Sequence, residues 1–152
     1  MYSKEQYEQK KAFVTEIFQN LPKIEGRNKF QKLMFLGQKE LSFPLYFAFT
    51  EQYYGPWSPE LANLLDHLVS IGIITETTEI KEEDIIHTYR ISETLHTKPE
   101  KTIPKDTITQ LRKLEQVESS CITMYIYDKY PPHQRSTESA LGELEQALEH
   151  KY

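Results

Sequence analysis

Three stretches of the chain repeat apolar residues at the spacing of an amphipathic helix. Within residues 3–21, 27–41 and 58–71 the apolar positions recur at intervals of three and four. A proline follows each of the first two stretches, and a Ser-Pro-Glu start opens the third. We therefore predict three helices, with Gly72 as the residue that ends the third. The predicted buried stripe of the third helix consists of Leu61, Leu64, Leu65 and Leu68.

Short apolar runs separated by turn-forming residues indicate strands. Residues 45–50 predict a short strand or an extended buried segment, and residues 53–57 predict a turn. Residues 73–75 and 89–91 flank an acidic, turn-prone stretch. They predict a hairpin with a long tip.

Two helices are predicted in the last third of the chain, over residues 104–128 and about 136–149. The apolar side of the first carries Leu111, Leu114, Cys121 and Tyr125. The order helix, helix, strand, helix, hairpin is close to that of a winged helix with additional C-terminal helices. We expect a mainly α fold with a small hairpin or sheet (α+β), in one domain over 1–152 with its core at about 24–130.

The composition is typical of a packed globular protein. The chain has 152 residues, of which 38% are hydrophobic and 12% aromatic, too many for a disordered tail. One cysteine, Cys121, cannot form an internal disulfide, which favours a reducing compartment. No apolar leader and no apolar run of about 20 residues is visible. We expect a cytoplasmic protein without a membrane span.

No catalytic pattern emerges from the residues that usually carry chemistry. No two of the five histidines stand at the i, i+4 spacing of a helical metal pair, and none is near Cys121 in the sequence. Phosphate-binding glycine loops and a GxSxG elbow are absent from the sequence. The position of Cys121 on the apolar side of a helix predicts a buried core thiol. The sequence argues against an enzyme and predicts no cofactor and no metal.

The distribution of charge bears on nucleic-acid binding. Residues 1–41 carry eight Lys or Arg and five Glu, whereas the rest of the chain carries ten basic and eighteen acidic residues. In a winged helix the third helix and the hairpin face DNA. From Ser58 to Ile86 the chain has seven acidic residues and one basic residue, Lys81. DNA affinity comes mainly from Lys and Arg, so nucleic acid is an unexpected partner.

An aromatic turn precedes the third helix and contains Tyr53, Tyr54 and Trp57. One interpretation is structural, because Gly55 permits an unusual backbone and Ser58 caps the helix. The other is an interface, because Tyr and Trp bury large rigid areas in protein contacts. The sequence leaves both interpretations open.

Five segments in order resemble the YwgA-like family of uncharacterised prokaryotic proteins. They are KFQKLMFL at 29–36, FAF at 47–49, YGPWSPEL at 54–61, YRISE at 89–93 and YIYDKYP at 125–131. Two positions depart from the family pattern: Trp57 stands where Tyr or Val is commoner, and Leu95 where glycine is expected. The family is similar in turn to the Panacea, or SocA-like, antitoxin domain.

The resemblance implies an adaptor or antitoxin that binds another protein, such as a toxin or a phage or defence protein. The residues we assign to partner binding are Tyr53, Tyr54, Trp57, Gln31 and Lys32. The alternative function is a transcriptional regulator of winged-helix type, which would use the basic N-terminal helices or a dimer surface. An enzyme without a recognisable motif is the third interpretation. A homodimer is a further option for the assembly.

Overall fold

The computed structural model describes residues 3–52, 55–95 and 101–131, which form five helices and two small antiparallel sheets. The expected mixed α+β class is confirmed. In chain order the elements are α1 (Lys4–Asn20), β1 (Ile24–Glu25), α2 (Arg27–Glu40), β2 (Thr50–Gln52), β3 (Gly55–Trp57), α3 (Pro59–Ser70), β4 (Ile74–Lys81), β5 (Asp84–Ile91), α4 (Lys105–Glu115) and α5 (Ser119–Lys129).

Helices α1 to α3 lie where the apolar spacing predicts them. The side chain of Ser3 accepts a hydrogen bond from the backbone of Gln6 and completes a capping box at the start of α1. Ser58 caps α3 by accepting a bond from Leu61 N at 3.2 Å. Gly72 follows α3 with a φ of 81°, as predicted. All four leucines of the predicted α3 stripe are buried.

The larger sheet has the strand order β1-β5-β4, and β4 and β5 pair over their full eight residues. The prediction of two short strands with a long tip is wrong. Pairing continues to Lys81 and Asp84, and only Glu82 and Glu83 form the turn, with φ values of 47° and 74°. The β-branched residues of β4 favour an extended backbone along the acidic stretch.

The core lies between α1, α2 and α3 and the inner face of the larger sheet, and buried residues of α4 and α5 extend it. Its largest fully buried side chains are Tyr89, Phe18, Phe30, Ile17, Ile24, Leu33, Met34, Leu36, Leu61, Leu65, Leu68 and Ile74. These residues come from α1, α2, α3 and all three strands of that sheet. The three N-terminal helices and the hairpin therefore share one core.

Residues 104–128 form two helices, so the prediction of one continuous helix is wrong. The chain leaves α4 at Glu115 and begins α5 at Ser119, and α5 buries Ile122 and Ile126. This packing turns Cys121 outward, and the thiol is exposed. The prediction of a buried core thiol is therefore also wrong.

The segment between α2 and α3 differs from its prediction. Residues 45–49 are not a strand, and the alternative of a buried segment holds in part, since Phe47 is buried whereas Leu45 is 81% exposed. The chain pairs only from Thr50, and Gly55–Trp57, predicted as part of a turn, is the second strand of a short hairpin.

A buried carboxylate attaches the segment before α4 to α1. Glu16 is 2% exposed and accepts hydrogen bonds from Thr102 N at 3.2 Å, from the Thr102 hydroxyl and from Ile103 N at 2.8 Å. These bonds satisfy the carboxylate, which would otherwise be costly to bury. Glu16 thus determines where α4 begins relative to α1.

Two predictions extend past the described ranges. The helix predicted at about 136–149 lies outside them, so this helix and the extension of one domain to residue 152 stay predictions. Within the ranges that are described, every helix is too short or too polar to cross a membrane.

Candidate interaction surface

Two glutamines of α2 hold the chain on either side of the β2–β3 hairpin. The side chain of Gln31 accepts from Ser58 N at 2.8 Å and donates to Ser58 O at 3.0 Å. Gln38, seven residues later, makes the same pair of bonds to Phe47, at 3.1 and 3.0 Å. Seven residues are about two helical turns, so both amides lie on one side of α2. The hairpin is thus anchored to α2 at both flanks.

The hairpin itself brings Trp57 to the surface. Trp57 pairs with Thr50, whose hydroxyl donates to Trp57 O at 3.2 Å. Gly55 has a φ of 118°, a conformation that favours glycine. The indole is half-buried and has contacts within the chain. Trp57 therefore combines a structural role with a partly exposed ring.

Tyr53 and Tyr54 lie between the two strands, outside the described residues. Their predicted role in partner binding stays a prediction. Trp57, the third aromatic residue assigned to this hairpin, lies within the described residues.

The outer face of α5 carries two exposed side chains, and one of them bonds the β2–β3 hairpin. Met124 is 72% exposed and Tyr127 is 38% exposed, and the Tyr127 hydroxyl donates to Gln52 O at 3.4 Å. Residues three apart on a helix share a face. We call Trp57, Met124 and Tyr127 the aromatic surface. Met124 and Tyr127 are not among the residues predicted from the sequence, where their spacing shows that they share a face but not that this face is exposed.

A polar and aromatic cluster attaches α5 to the end of α2. The carboxylate of Glu40 accepts from the hydroxyls of Tyr125, at 2.8 and 2.9 Å, and Tyr130, at 2.7 Å, and pairs with Lys129 at 3.2 Å. Burial alone would raise the pKa of Glu40. The hydrogen bonds from Tyr130, Tyr125 and Lys129 outweigh it and lower that pKa. The cluster therefore stabilises the ionised carboxylate and fixes the position of α5.

Gln31 and Lys32, assigned to partner binding from the resemblance, are both buried, with exposures of 1% and 6%. The amide of Gln31 is used to hold Ser58. The Lys32 ammonium donates to the Ser119 hydroxyl at 3.3 Å, and burial lowers the pKa of Lys32. The structure thus brings Lys32 and Ser119 together from α2 and α5. Whether either residue binds a partner stays a prediction.

The β4–β5 hairpin carries most of the acidic charge noted in the sequence. Its turn and neighbouring positions contain Glu79, Glu82, Glu83 and Asp84, all exposed. The acids of α3 are already paired within the chain: Glu60 with Lys10 at 2.5 Å and Asp66 with Arg27 at 2.6 Å. This face therefore presents a negative hairpin next to a neutralised helix.

The described ranges contain no group of three or more His, Cys, Asp or Glu side chains that could hold a metal ion. A groove of about 600 Å³ runs between α1, the segment after α2 and the segment before α4. Glu5 and Glu8 line one side, and Phe13 and Phe43 are among its apolar residues. It brings together no arrangement of catalytic groups in these ranges.

The comparison with known proteins finds one informative relative. The chain is 31% identical over 83 residues to the uncharacterized protein YwgA of Bacillus subtilis, an alignment that covers 55% of this chain. It spans about half, 49%, of the length of that relative. No protein-family model matches the chain, and no solved structure matches it significantly. The partial match supports a relationship to YwgA-like proteins.

Proposed function

We propose that this protein is a protein-interaction module, an antitoxin-like or defence-associated adaptor that binds a partner protein through the aromatic surface. The observation that carries the proposal is the exposure of Met124 and Tyr127 on α5, a helix that contacts strand β3 with its half-buried Trp57. Aromatic and Met side chains are enriched in protein interfaces, and Trp and Tyr dominate their binding energy. The opposite face of α5 packs into the core through Ile122 and Ile126, so the exposed face is free of a role in core packing.

The antitoxin part of the proposal comes from the resemblance. The partial match to YwgA supports a YwgA-like chain. The further relation of such chains to the Panacea, or SocA-like, domain is part of our proposal. In that domain, neutralisation of toxins works in some cases by direct protein contact. An interaction surface without catalytic groups suits this role.

The winged-helix interpretation also belongs to the proposal. The order α1, β1, α2, α3, β4, β5, with β1 pairing β5, is compatible with a winged-helix core into which the β2–β3 hairpin is inserted. A DNA-binding regulator remains the alternative function. The exposed acids of the β4–β5 hairpin disfavour it, because they would repel phosphates. A non-enzymatic role is likewise proposed.

The test uses the protein encoded by the neighbouring gene as the probe. Its binding to the purified chain is measured by isothermal titration calorimetry, with Trp57→Ala and Tyr127→Ala as variants. We expect each to weaken binding by about tenfold or more, as truncation of a hot-spot residue does. The matched control is Leu45→Ser, which alters an exposed apolar residue outside the aromatic surface.

Stability measurements accompany the titration. Because Trp57 is half-buried, Trp57→Ala is expected to cost less than the ~3–5 kcal/mol of a core aromatic truncation. Equal loss of binding in Leu45→Ser, or full binding by both surface variants, contradicts the proposed surface. Binding of random duplex DNA in place of the protein would favour the regulator.

A further inference from the structure

Lys32 is an unusual residue to find in the interior of a protein. It lies in the middle of α2 and is 6% exposed. Lysine is almost never fully buried unless it is paired, because removing an ammonium from water is costly. A lysine in this position therefore requires a physical reason.

The described part of the chain supplies no counter-charge for this ammonium. The one hydrogen bond from Lys32 Nζ goes to the neutral hydroxyl of Ser119, at 3.3 Å. In that part of the chain, no carboxylate lies within 4.0 Å of Nζ, although six other Lys or Arg residues there have such a partner. Burial accordingly lowers the pKa of Lys32.

The position of Ser119 makes the surroundings more positive. Ser119 is the first residue of α5, and the first intrahelical bond there runs from Ile122 N to Glu118 O. The preceding backbone N–H groups have no acceptor within the helix and form its positive end. The N-cap, Glu118, makes no side-chain capping bond, and the first turn contains no acidic residue. A buried ammonium and a helix N-terminus thus meet without an anion between them.

The same lysine lies directly under the β2–β3 hairpin. A Cβ built on Gly55 would be 3.3 Å from Lys32 Cε, so the glycine lets strand β3 approach the lysine side chain closely. Trp57 is two residues further along this strand. The ammonium therefore lies between the two elements, β3 and α5, that carry the aromatic surface.

We infer that Lys32 is one half of an ion pair whose other half is a carboxylate of the partner protein, inserted between strand β3 and the N-terminus of α5. The inference rests on the proposed function, and it names the chemistry that the partner brings to the aromatic surface. A single ammonium matches the single charge of a carboxylate. A phosphate-rich polymer would in addition meet a chain of net charge -5.

The first experiment needs no partner and uses acetate as the probe. The Lys32 side-chain nitrogen is followed by NMR in ¹⁵N-lysine-labelled protein, and its signal is identified by its loss in Lys32→Met. Acetate replaces chloride at constant ionic strength, up to about 0.2 M, so that screening is unchanged. We expect a saturable shift of the Lys32 signal in the wild type and in Lys39→Met, a control at an exposed position of α2.

The same experiment distinguishes a carboxylate from a phosphate as the anion that Lys32 binds. A Lys32 signal that does not respond to acetate overturns the inference. A parallel titration with inorganic phosphate tests the choice of carboxylate, because a stronger response to phosphate than to acetate overturns that assignment. Thermal unfolding gives a second readout, since a ligand that binds the folded state raises the midpoint. Acetate should raise it for the wild type relative to chloride and leave Lys32→Met unchanged.

The second experiment uses the calorimetric assay with the neighbouring-gene protein. Lys32→Met should weaken binding by about tenfold or more, since it leaves the partner carboxylate buried without its counter-charge. Folding of the variant is checked by urea titration, and we expect no loss of stability, because an apolar side chain replaces an uncompensated buried charge. If Trp57→Ala weakens binding and Lys32→Met does not, the ion pair is refuted while the aromatic surface stands. If neither weakens binding, both proposals fail.

Discussion

Replacing Gln31 by alanine tests whether a buried amide holds the hairpin onto α2. The side chain accepts from Ser58 N at 2.8 Å and donates to Ser58 O at 3.0 Å, and both residues are buried. Gln38 provides a matched variant, because it makes the same two bonds to Phe47 in a partly buried setting. The two alanine variants remove the same atoms from the same helix. They differ in the burial of the glutamine itself, because Gln31 is 1% exposed whereas Gln38 is half-buried.

The expected magnitudes follow from that difference. A hydrogen bond contributes about 1 kcal/mol net, whereas a buried donor or acceptor left without a partner costs about 1–3 kcal/mol. Gln31→Ala leaves two such groups on Ser58, so we expect a loss of about 2–5 kcal/mol in the free energy of unfolding. Gln38 is half-buried, so water can enter the space that its side chain leaves and bond the Phe47 backbone; we expect about 1–2 kcal/mol for Gln38→Ala.

The assay is a urea titration followed by the fluorescence of Trp57, the single tryptophan, and by far-UV circular dichroism. With a slope of about 1–3 kcal/mol per M of urea, a difference of about 2 kcal/mol between the variants separates the midpoints by about 0.7–2 M. A cost for Gln31→Ala no larger than that for Gln38→Ala would refute the reasoning. Ser58→Ala tests the adjacent start of α3 separately, because it leaves the backbone bonds to Gln31 in place. It removes the cap bond from Leu61 N and should cost about 1 kcal/mol.

Three further predictions concern other parts of the fold. Glu16→Ala should lower the free energy of unfolding by about 2–5 kcal/mol, because it removes three hydrogen bonds to a charged acceptor and leaves the buried Ile103 N without a partner. The exposed Glu8→Ala should stay within about 0.5 kcal/mol, and chemical denaturation compares the two variants. Cys121 should react with a thiol reagent in the native protein at a rate close to that in denaturant, and strong native protection would contradict its exposed position. Because the pKa of Glu40 is lowered in the folded state, the contribution of Glu40 to stability should be full above its ordinary pKa of about 4.5. This contribution should decline as the pH falls through the lowered pKa. Glu40→Gln should remove that part of the pH dependence, as measured by thermal unfolding from pH ~7 to ~3.

Helices α1 to α3 could be predicted because local signals and tertiary packing agree there. Ser58 caps α3, and the leucine stripe of that helix is the face that enters the core. The acidic hairpin was harder to predict, because Glu82 and Glu83 occupy the left-handed region that turn rules assign to glycine or asparagine. Its charges suggested a loop, although Thr and Ile residues between them favour a strand.

The break after α4 has no signal of its own in the sequence, since residues 116–118 contain neither proline nor glycine. Helix α4 packs against α2, and its Arg112 donates to Asn20 O at the end of α1 at 2.9 Å, whereas α5 packs against α2 and β3. The apolar stripe predicted for one long helix therefore placed Cys121 on the wrong side. Tertiary contacts determine where α4 ends and which side of α5 is buried, and the pattern of a single sequence does not contain these contacts.

The candidate site was predicted in part. The aromatic run around Trp57 identified the hairpin, but Met124 and Tyr127 were missed because a helical pattern does not show which face remains uncovered. Gln38 was missed because an amide that holds a backbone segment looks like any polar surface residue. The burial of Lys32 was equally invisible, since lysine in a helix is normally solvated.

The two glutamine anchors on α2 have a consequence for the thermodynamics and kinetics of association. Ordering a loop at the moment of binding costs conformational entropy, which weakens the complex. Here the backbone at Phe47 and Ser58 is already fixed by four hydrogen bonds to one helix, so that entropy is lost during folding. A partner then meets flanking segments that are already in place. Variants that loosen either anchor should accordingly increase the unfavourable entropy of binding, even where the residues of the aromatic surface are unchanged.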